Sequence, residues 1–209
     1  MIKVLIVDDH SVIRNGVKHI LLDEFGEIDY EEAENGSIAI RKIIDKKWDI
    51  IILDIDMPGR NGLDVLKDMK DNNITTPVLV FSLHPEEQIA IRALKLGAFG
   101  YLSKDTMDEE LVNALRQILM KKKYITPSIA EKLVTQLENP LDKAPHELLS
   151  DREYQTLLLF AKGRTVSQIA TELFLSVPTV STYRTRILEK MNMKTNAELV
   201  NYVFKNNLA

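Results

Sequence analysis

Ile50-Ile51-Ile52-Leu53-Asp54 is a run of four aliphatic residues that stops on a carboxylate, and it continues as Ile-Asp-Met-Pro-Gly through Gly59. Four consecutive apolar residues with β-branched side chains fit a strand covered on both faces, not one with a wet side. Working outward, Lys3 to Val7 (KVLIV) and Val78 to Phe81 (VLVF) are runs of the same kind, and residues 30–33 and 100–103 are weaker ones. Between them, apolar residues recur three or four apart, as in Ile13, Val17, Ile20, Leu21 and again in Leu111, Leu115, Ile118. Five strand-then-helix units predict an α/β doubly wound (βα)5 parallel sheet, because right-handed crossovers place helices on both faces. Ligands of such sheets sit at the C-terminal strand ends.

That rule turns the polar residues following each strand into a candidate site. Asp8 and Asp9 follow the first strand, Asp54 the third, Ser82 ends the fourth, and Lys104 follows the fifth. Singly, each has an ordinary role as a helix cap or a solvated end. Five on one rim point instead to a shared divalent cation and a phosphoryl group. Hard oxygen donors suit Mg2+, which needs one or two protein carboxylates and keeps several waters. Asp54 is then the nucleophile, with the cation offsetting the mutual repulsion of three acids. Ser82 and Lys104 hold phosphoryl oxygens.

The second half reads differently. Residues 1–120 carry a net charge of about −8 and residues 121–209 about +4, so an acidic module precedes a basic one. At 209 residues the chain suits two small domains, with the expected divisions 1–120, a helical linker 121–146 and 147–209. A helical stretch from Pro127 to about Glu138 and a Pro-containing stretch from Asn139 to Pro145 fill the linker. Beyond it, only short helices are predicted, forming a small all-α domain. Ser150 followed by Glu153 is a capping box, Gly163 ends that helix, and Ser176 with Pro178 opens a later one. TVSQIATELFLSVPTVSTYRTRILEKM (165–191) has helix-turn-helix spacing, with Thr179, Ser181, Thr182, Arg184, Arg186 and Lys190 as candidate DNA-contacting positions.

No apolar run is long enough for a membrane helix, there is no cysteine, and the opening MIKVLIVDDH lacks the form of a signal peptide. A cytoplasmic protein is expected.

The first half resembles the receiver domains of two-component response regulators. VLIVDDH (4–10), DIIILDIDMPGRNGLD (49–64), PVLVFSLH (77–84) and KLGAFGYLSKD (95–105) carry the resemblance. It implies phosphorylation of Asp54 by a sensor histidine kinase. Asp9, Asp54 and the Asp56 backbone carbonyl become metal ligands, Asp8 binds through water, and Tyr101 becomes a switch aromatic that turns inward. Residues 148–200 are similar to the LuxR-type output domain of the NarL/FixJ branch. This implies a transcription regulator that binds promoter DNA as a homodimer through its last helix, about Asn196 to Phe204. Leu199, Val200 and Val203 there serve either that contact or the domain's own core. Two receiver positions depart from the common pattern: Asp105 follows the lysine where many receivers have proline, and Asp56 is charged. Ser181 and Tyr183 replace a common lysine and histidine, so base preference does not carry over.

Two other readings fit parts of the sequence. Asp54-Ile-Asp56 matches the DxD of haloacid-dehalogenase-type phosphatases, but on the third strand and with Pro58 at the place of Thr or Val. A receiver with a helical protein-binding output domain is the alternative to a DNA binder, and salt-dependent DNA binding separates the two.

Overall fold

Ile50–Leu53 is a fully buried strand at the centre of a five-stranded sheet. The computed structural model describes residues 1–83, 86–138, 144–206 and 208. The chain divides into two compact units, Met1–Ala130 and Glu131–Ala209. In the first, β1 (Ile2–Val7), β2 (Ile28–Ala33), β3 (Ile50–Leu53), β4 (Val78–Ser82) and β5 (Gly100–Ser103) alternate with five helices. These are α1 (Ser11–Phe25), α2 (Gly36–Asp45), α3 (Gly62–Asp71), α4 (Glu86–Lys95) and α5 (Met107–Leu119). The strands are all parallel in the order β2-β1-β3-β4-β5, the doubly wound (βα)5 architecture that the sequence predicts.

Period-2 alternation divides each strand between two cores. Val4, Ile6, Ile50, Ile52, Leu79, Phe81 and Leu102 pack with Val17 and Leu21 of α1 and with Leu111, Leu115 and Ile118 of α5. The alternate residues Leu5, Ile51, Leu53 and Val80 are equally buried on the other face. Burying both faces is why these strands are runs of aliphatic residues, each full side-chain burial contributing about 1.5–3 kcal/mol. After α5 the chain stays with this unit: the Tyr124 N–H donates to the Phe99 carbonyl at 2.9 Å.

Helix α6 (Pro127–Glu138) straddles the division between the units. The second unit continues with a 3-10 turn at Pro145–Leu148, then α7 (Asp151–Ala161), α8 (Val166–Glu172), α9 (Val177–Lys190) and α10 (Asn196–Lys205). Each of the last four has a hydroxyl cap: Ser150, Thr165, Ser176 and Thr195 accept from the backbone N–H three residues on. The predicted Ser150–Glu153 box is complete, with both reciprocal bonds made. Gly163 follows α7 in the left-handed region (φ 76°). Phe174 (φ 54°) and Asn192 (φ 55°) end α8 and α9 in the same way without being glycine. Leu159, Phe160, Ile169, Ala170, Leu173 and Val180 form the core that holds α8 against α9. No described helix is long and apolar enough to cross a membrane.

Candidate functional site

Strand register brings the acids together. Val7 pairs with Leu53, so Asp8 and Asp54 leave adjacent strands side by side. The Asp54 N–H donates to the Val7 carbonyl at 2.8 Å, and the Asp8 N–H donates to Ala33 at 3.1 Å. Ser82 pairs with Ser103 at the ends of β4 and β5, and Lys104 follows directly. Asp8, Asp54 and Ser82 are all buried, at 2%, 1% and 0% exposure. The Lys104 ammonium bridges the two acids, 2.6 Å from Asp8 Oδ2 and 2.9 Å from Asp54 Oδ2.

Burial pushes the Asp54 carboxyl up to about 6; Lys104 opposes that shift and Asp8 adds to it. Burial pulls the Lys104 ammonium down, but the carboxylates of Asp54 and Asp8 outweigh it, so its pKa lies above the ordinary lysine value. The pair is therefore held as an ion contact inside the protein. Asp8 Oδ2 and Asp54 Oδ2 nevertheless take no aligned hydrogen bond, and neither does Asp9 Oδ1. Donor atoms of Asp8, Asp9, His10 and Asp54 lie within 4.8 Å of one another, so these residues could hold a metal ion.

Several residues fix this arrangement. Arg14 donates through Nη1 to the Asp8 carbonyl (2.8 Å) and through Nε to Glu32 Oε2 (2.7 Å). The Asp56 N–H lies 3.3 Å from Asp54 Oδ1, while the Asp56 side chain is exposed. Tyr101 is fully buried, its ring on the inside of the protein. Two residues absent from the sequence-based site also shape it. Asn61, 1% exposed, caps α3 by accepting from the Asp64 N–H, and Asp64 returns the bond. Gly62 lies so close that a Cβ there would stand 2.3 Å from the Asp54 carbonyl oxygen. The signal was present in Asn61-Gly62-Leu63-Asp64, a capping box beginning next to a glycine.

In the second unit, α9 turns Val180 and Ile187 into the core. Ser181, Thr182 and Arg186 are exposed, and among the described residues Arg186 makes no hydrogen bond or ion pair. Thr179 is half-buried, with its hydroxyl 2.7 Å from that of Ser176. The other two cations are engaged inside the unit. Arg184 lies four residues after Val180, on the inner face, and its Nε donates to Asn196 Oδ1 at 2.7 Å. Lys190 Nζ donates to the buried Glu153 at 2.6 Å, tying α9 to the start of α7. Burial pushes the Glu153 carboxyl up, but Lys190 and the Ser150 cap outweigh it and hold it below the ordinary range. Leu199 and Val203 of α10 are fully buried within the unit, so they belong to its own core.

Residues 4–116 match the response regulator receiver domain, and residues 147–203 match the bacterial regulatory proteins of the luxR family. The response regulator UvrY of Escherichia coli (strain K12) is 32% identical over 209 residues, covering all of this chain and 96% of UvrY. The response regulator GacA of Pseudomonas aeruginosa is 35% identical over 200 residues, covering 95% of this chain and 94% of GacA. A solved structure of two RcsB dimers bound to two parallel DNAs is 25% identical, covers 97% of either chain and superposes with a TM-score of 0.59.

Proposed function

Because this chain belongs to the response regulators of the NarL/FixJ branch, a receiver domain followed by a luxR-family DNA-binding domain, we propose that phosphorylation of Asp54 by a sensor histidine kinase controls its binding to promoter DNA. The observation that carries this reading is a buried Asp54 with Asp8 beside it and the Lys104 ammonium at 2.9 Å. An Asp54 carboxylate oxygen attacks the phosphorus of the kinase phosphohistidine. The new O–P bond forms as the N–P bond breaks, and the electron pair stays on the imidazole nitrogen, which takes up a proton. With a pKa of about 6, Asp54 is mainly ionised at neutral pH and competent to attack.

The carboxylates of Asp8, Asp9 and Asp54 and the backbone carbonyl of Asp56 would hold Mg2+, whose charge would offset that of the incoming phosphoryl group. Lys104, already oriented by two acids, takes phosphoryl oxygens as a point charge. The Ser82 hydroxyl at the end of β4 binds another. Tyr101, packed inside beside β4, is the switch aromatic that couples this rim to the β4–β5 face. The receiver takes part only in its own phosphotransfer and dephosphorylation, so the protein is not an enzyme with a turnover substrate.

In the output unit, Thr179, Ser181, Thr182 and Arg186 face the DNA, and Arg184 and Lys190, which also tie the recognition helix to Asn196 and Glu153, complete the set. One unit then offers few free cations on α9, so the active form is a homodimer on a repeated site. We assign residues 1–120 to the receiver, 121–146 to a helical linker and 147–209 to the output domain, and place the protein in the cytoplasm. Genome-wide DNA capture with and without acetyl phosphate, on wild type and Asp54→Ala, tests the switch. Phosphate-dependent occupancy lost in the variant is expected, and identical occupancy in all four samples overturns it.

A further inference from the structure

The N-terminal ends of the strands, at the end of the sheet away from Asp54, border a groove of about 1160 Å3 that the phosphotransfer chemistry does not use. Its floor is apolar: Ile2 of β1, Ile43 of α2, Trp48, Pro77 and Leu119 of α5 line it. The Trp48 indole is a fixed wall, because its Nε1–H donates to the Lys42 carbonyl at 2.9 Å and the Lys46 ammonium covers one face, 4.6 Å from the ring centre. Met1 and Ile44, at 78% and 63% exposure, carry the apolar surface onto the rim.

The rim also carries unspent charge. Lys47 lies in the connection from α2 to β3 and Lys121 in the turn after α5. Both are exposed, and among the described residues their ammonium groups make no hydrogen bond or ion pair. Of the other charged lining residues, Lys46 pairs with Asp29 and Glu31, and Asp49 Oδ2 accepts the Lys3 backbone N–H at 2.8 Å. That leaves Asp45 alone to oppose the two lysines. Lys121 holds φ at +60°, a left-handed conformation that glycine adopts without steric cost. A lysine kept at such a helix end points to a use for its side chain.

An apolar floor with unpaired ammonium groups at its edge matches a ligand that has an apolar body and an anionic head. The groove exceeds the roughly 300–1,000 Å3 of clefts that enclose a compact ligand, which favours a flexible chain lying along it over a single ring. We propose that this groove binds a free long-chain carboxylate, with the alkyl chain against Ile43, Ile44 and Trp48 and the carboxylate held by Lys47 and Lys121. The site stands apart from Asp54, so ligand and phosphoryl group do not compete.

Titration of the full chain with laurate below its micellar range, followed by calorimetry and by the fluorescence of Trp48, the only tryptophan, provides the test. Saturable binding at one site per chain is expected, weakening about fourfold for each methylene removed from the ligand. Dodecanol, which lacks the charge, should bind about tenfold more weakly or worse, and Lys47→Gln and Lys121→Gln should each weaken laurate about three- to fivefold. Asp45→Asn should strengthen it. Ile44→Glu, a change at an exposed position, should abolish binding and leave the urea midpoint unmoved. No saturable binding, equal affinity for laurate and dodecanol, or indifference to both lysine variants overturns the proposal. A response lost in Asp54→Ala also overturns it, since the ligand then sits at the phosphoacceptor rim. Tighter binding to phosphatidylglycerol vesicles than to free laurate, lost in the same lysine variants, overturns it as well and assigns the groove to a membrane surface.

Discussion

Replacing Gly62 by alanine adds one methyl group at the tightest point of the phosphoacceptor loop. The new Cβ would lie 2.3 Å from the Asp54 carbonyl oxygen and 2.9 Å from the Ile55 Cα, whereas ordinary contact begins at 3.4 Å. Both obstacles are backbone, so no rotamer change relieves the clash. Either α3 retreats or the Asp54 segment moves, by about 1 Å, and a misplacement of that size at a reacting group costs on the order of 100-fold in rate. Overpacking against backbone costs about 1–3 kcal/mol of stability. Trp48, the only tryptophan, is buried in the first unit, so its fluorescence reports unfolding of that unit alone. Urea titrations read at Trp48 should give that loss, and phosphorylation by acetyl phosphate should slow by one to two orders of magnitude. A variant within about 0.5 kcal/mol of wild type that is phosphorylated at the wild-type rate would refute the reasoning.

Gly26→Ala is the converse case: nothing lies within 4 Å of its Cβ, but φ is +68°. It should lose about 1–2 kcal/mol by backbone strain and leave the phosphorylation rate unchanged in the same assays. Because the Glu153 carboxyl is held below its ordinary 4.5, its contribution is complete above that value and fades as pH falls through the lower folded pKa. Hydrogen exchange of α7 and α9 amides should therefore accelerate on acidification in wild type, and Lys190→Met should flatten that dependence. Fluorescence anisotropy on promoter DNA over a salt series should separate the two kinds of cation on α9. Arg186→Ala should reduce the log–log salt slope by about one with stability intact, whereas Lys190→Ala should lower the stability of the second unit by about 1–3 kcal/mol.

Local pattern accounts for what was legible in advance. Strands β3 and β5 begin and end where the aliphatic run at 50–53 and the weaker stretch at 100–103 do, and the acids after β1 and β3 meet because parallel register puts adjacent strand ends level. The fate of the α9 cations was not legible. Arg184 and Lys190 read as unpaired surface cations by position, yet their partners Asn196 and Glu153 lie 12 and 37 residues away and are brought up only by the packing of α7 and α10. Glu153 was readable as a capping residue, since a capping box spans three residues. Its second duty as the counter-ion of Lys190 depends on tertiary contact that no spacing rule encodes.

Strand β2 forms one outer edge of the sheet, and an uncovered edge invites a second molecule to add a strand of its own. Its sequence IDYEEA places Asp29, Glu31 and Glu32 along that border, each paired with a cation in or just after a neighbouring helix: Lys46, Lys42 and Arg14. Edge-to-edge stacking of two copies would have to displace those partners and set carboxylates against carboxylates. The ion pairs along β2 therefore also oppose edge-to-edge pairing of two copies, and charge reversal along this strand is where that opposition would first fail.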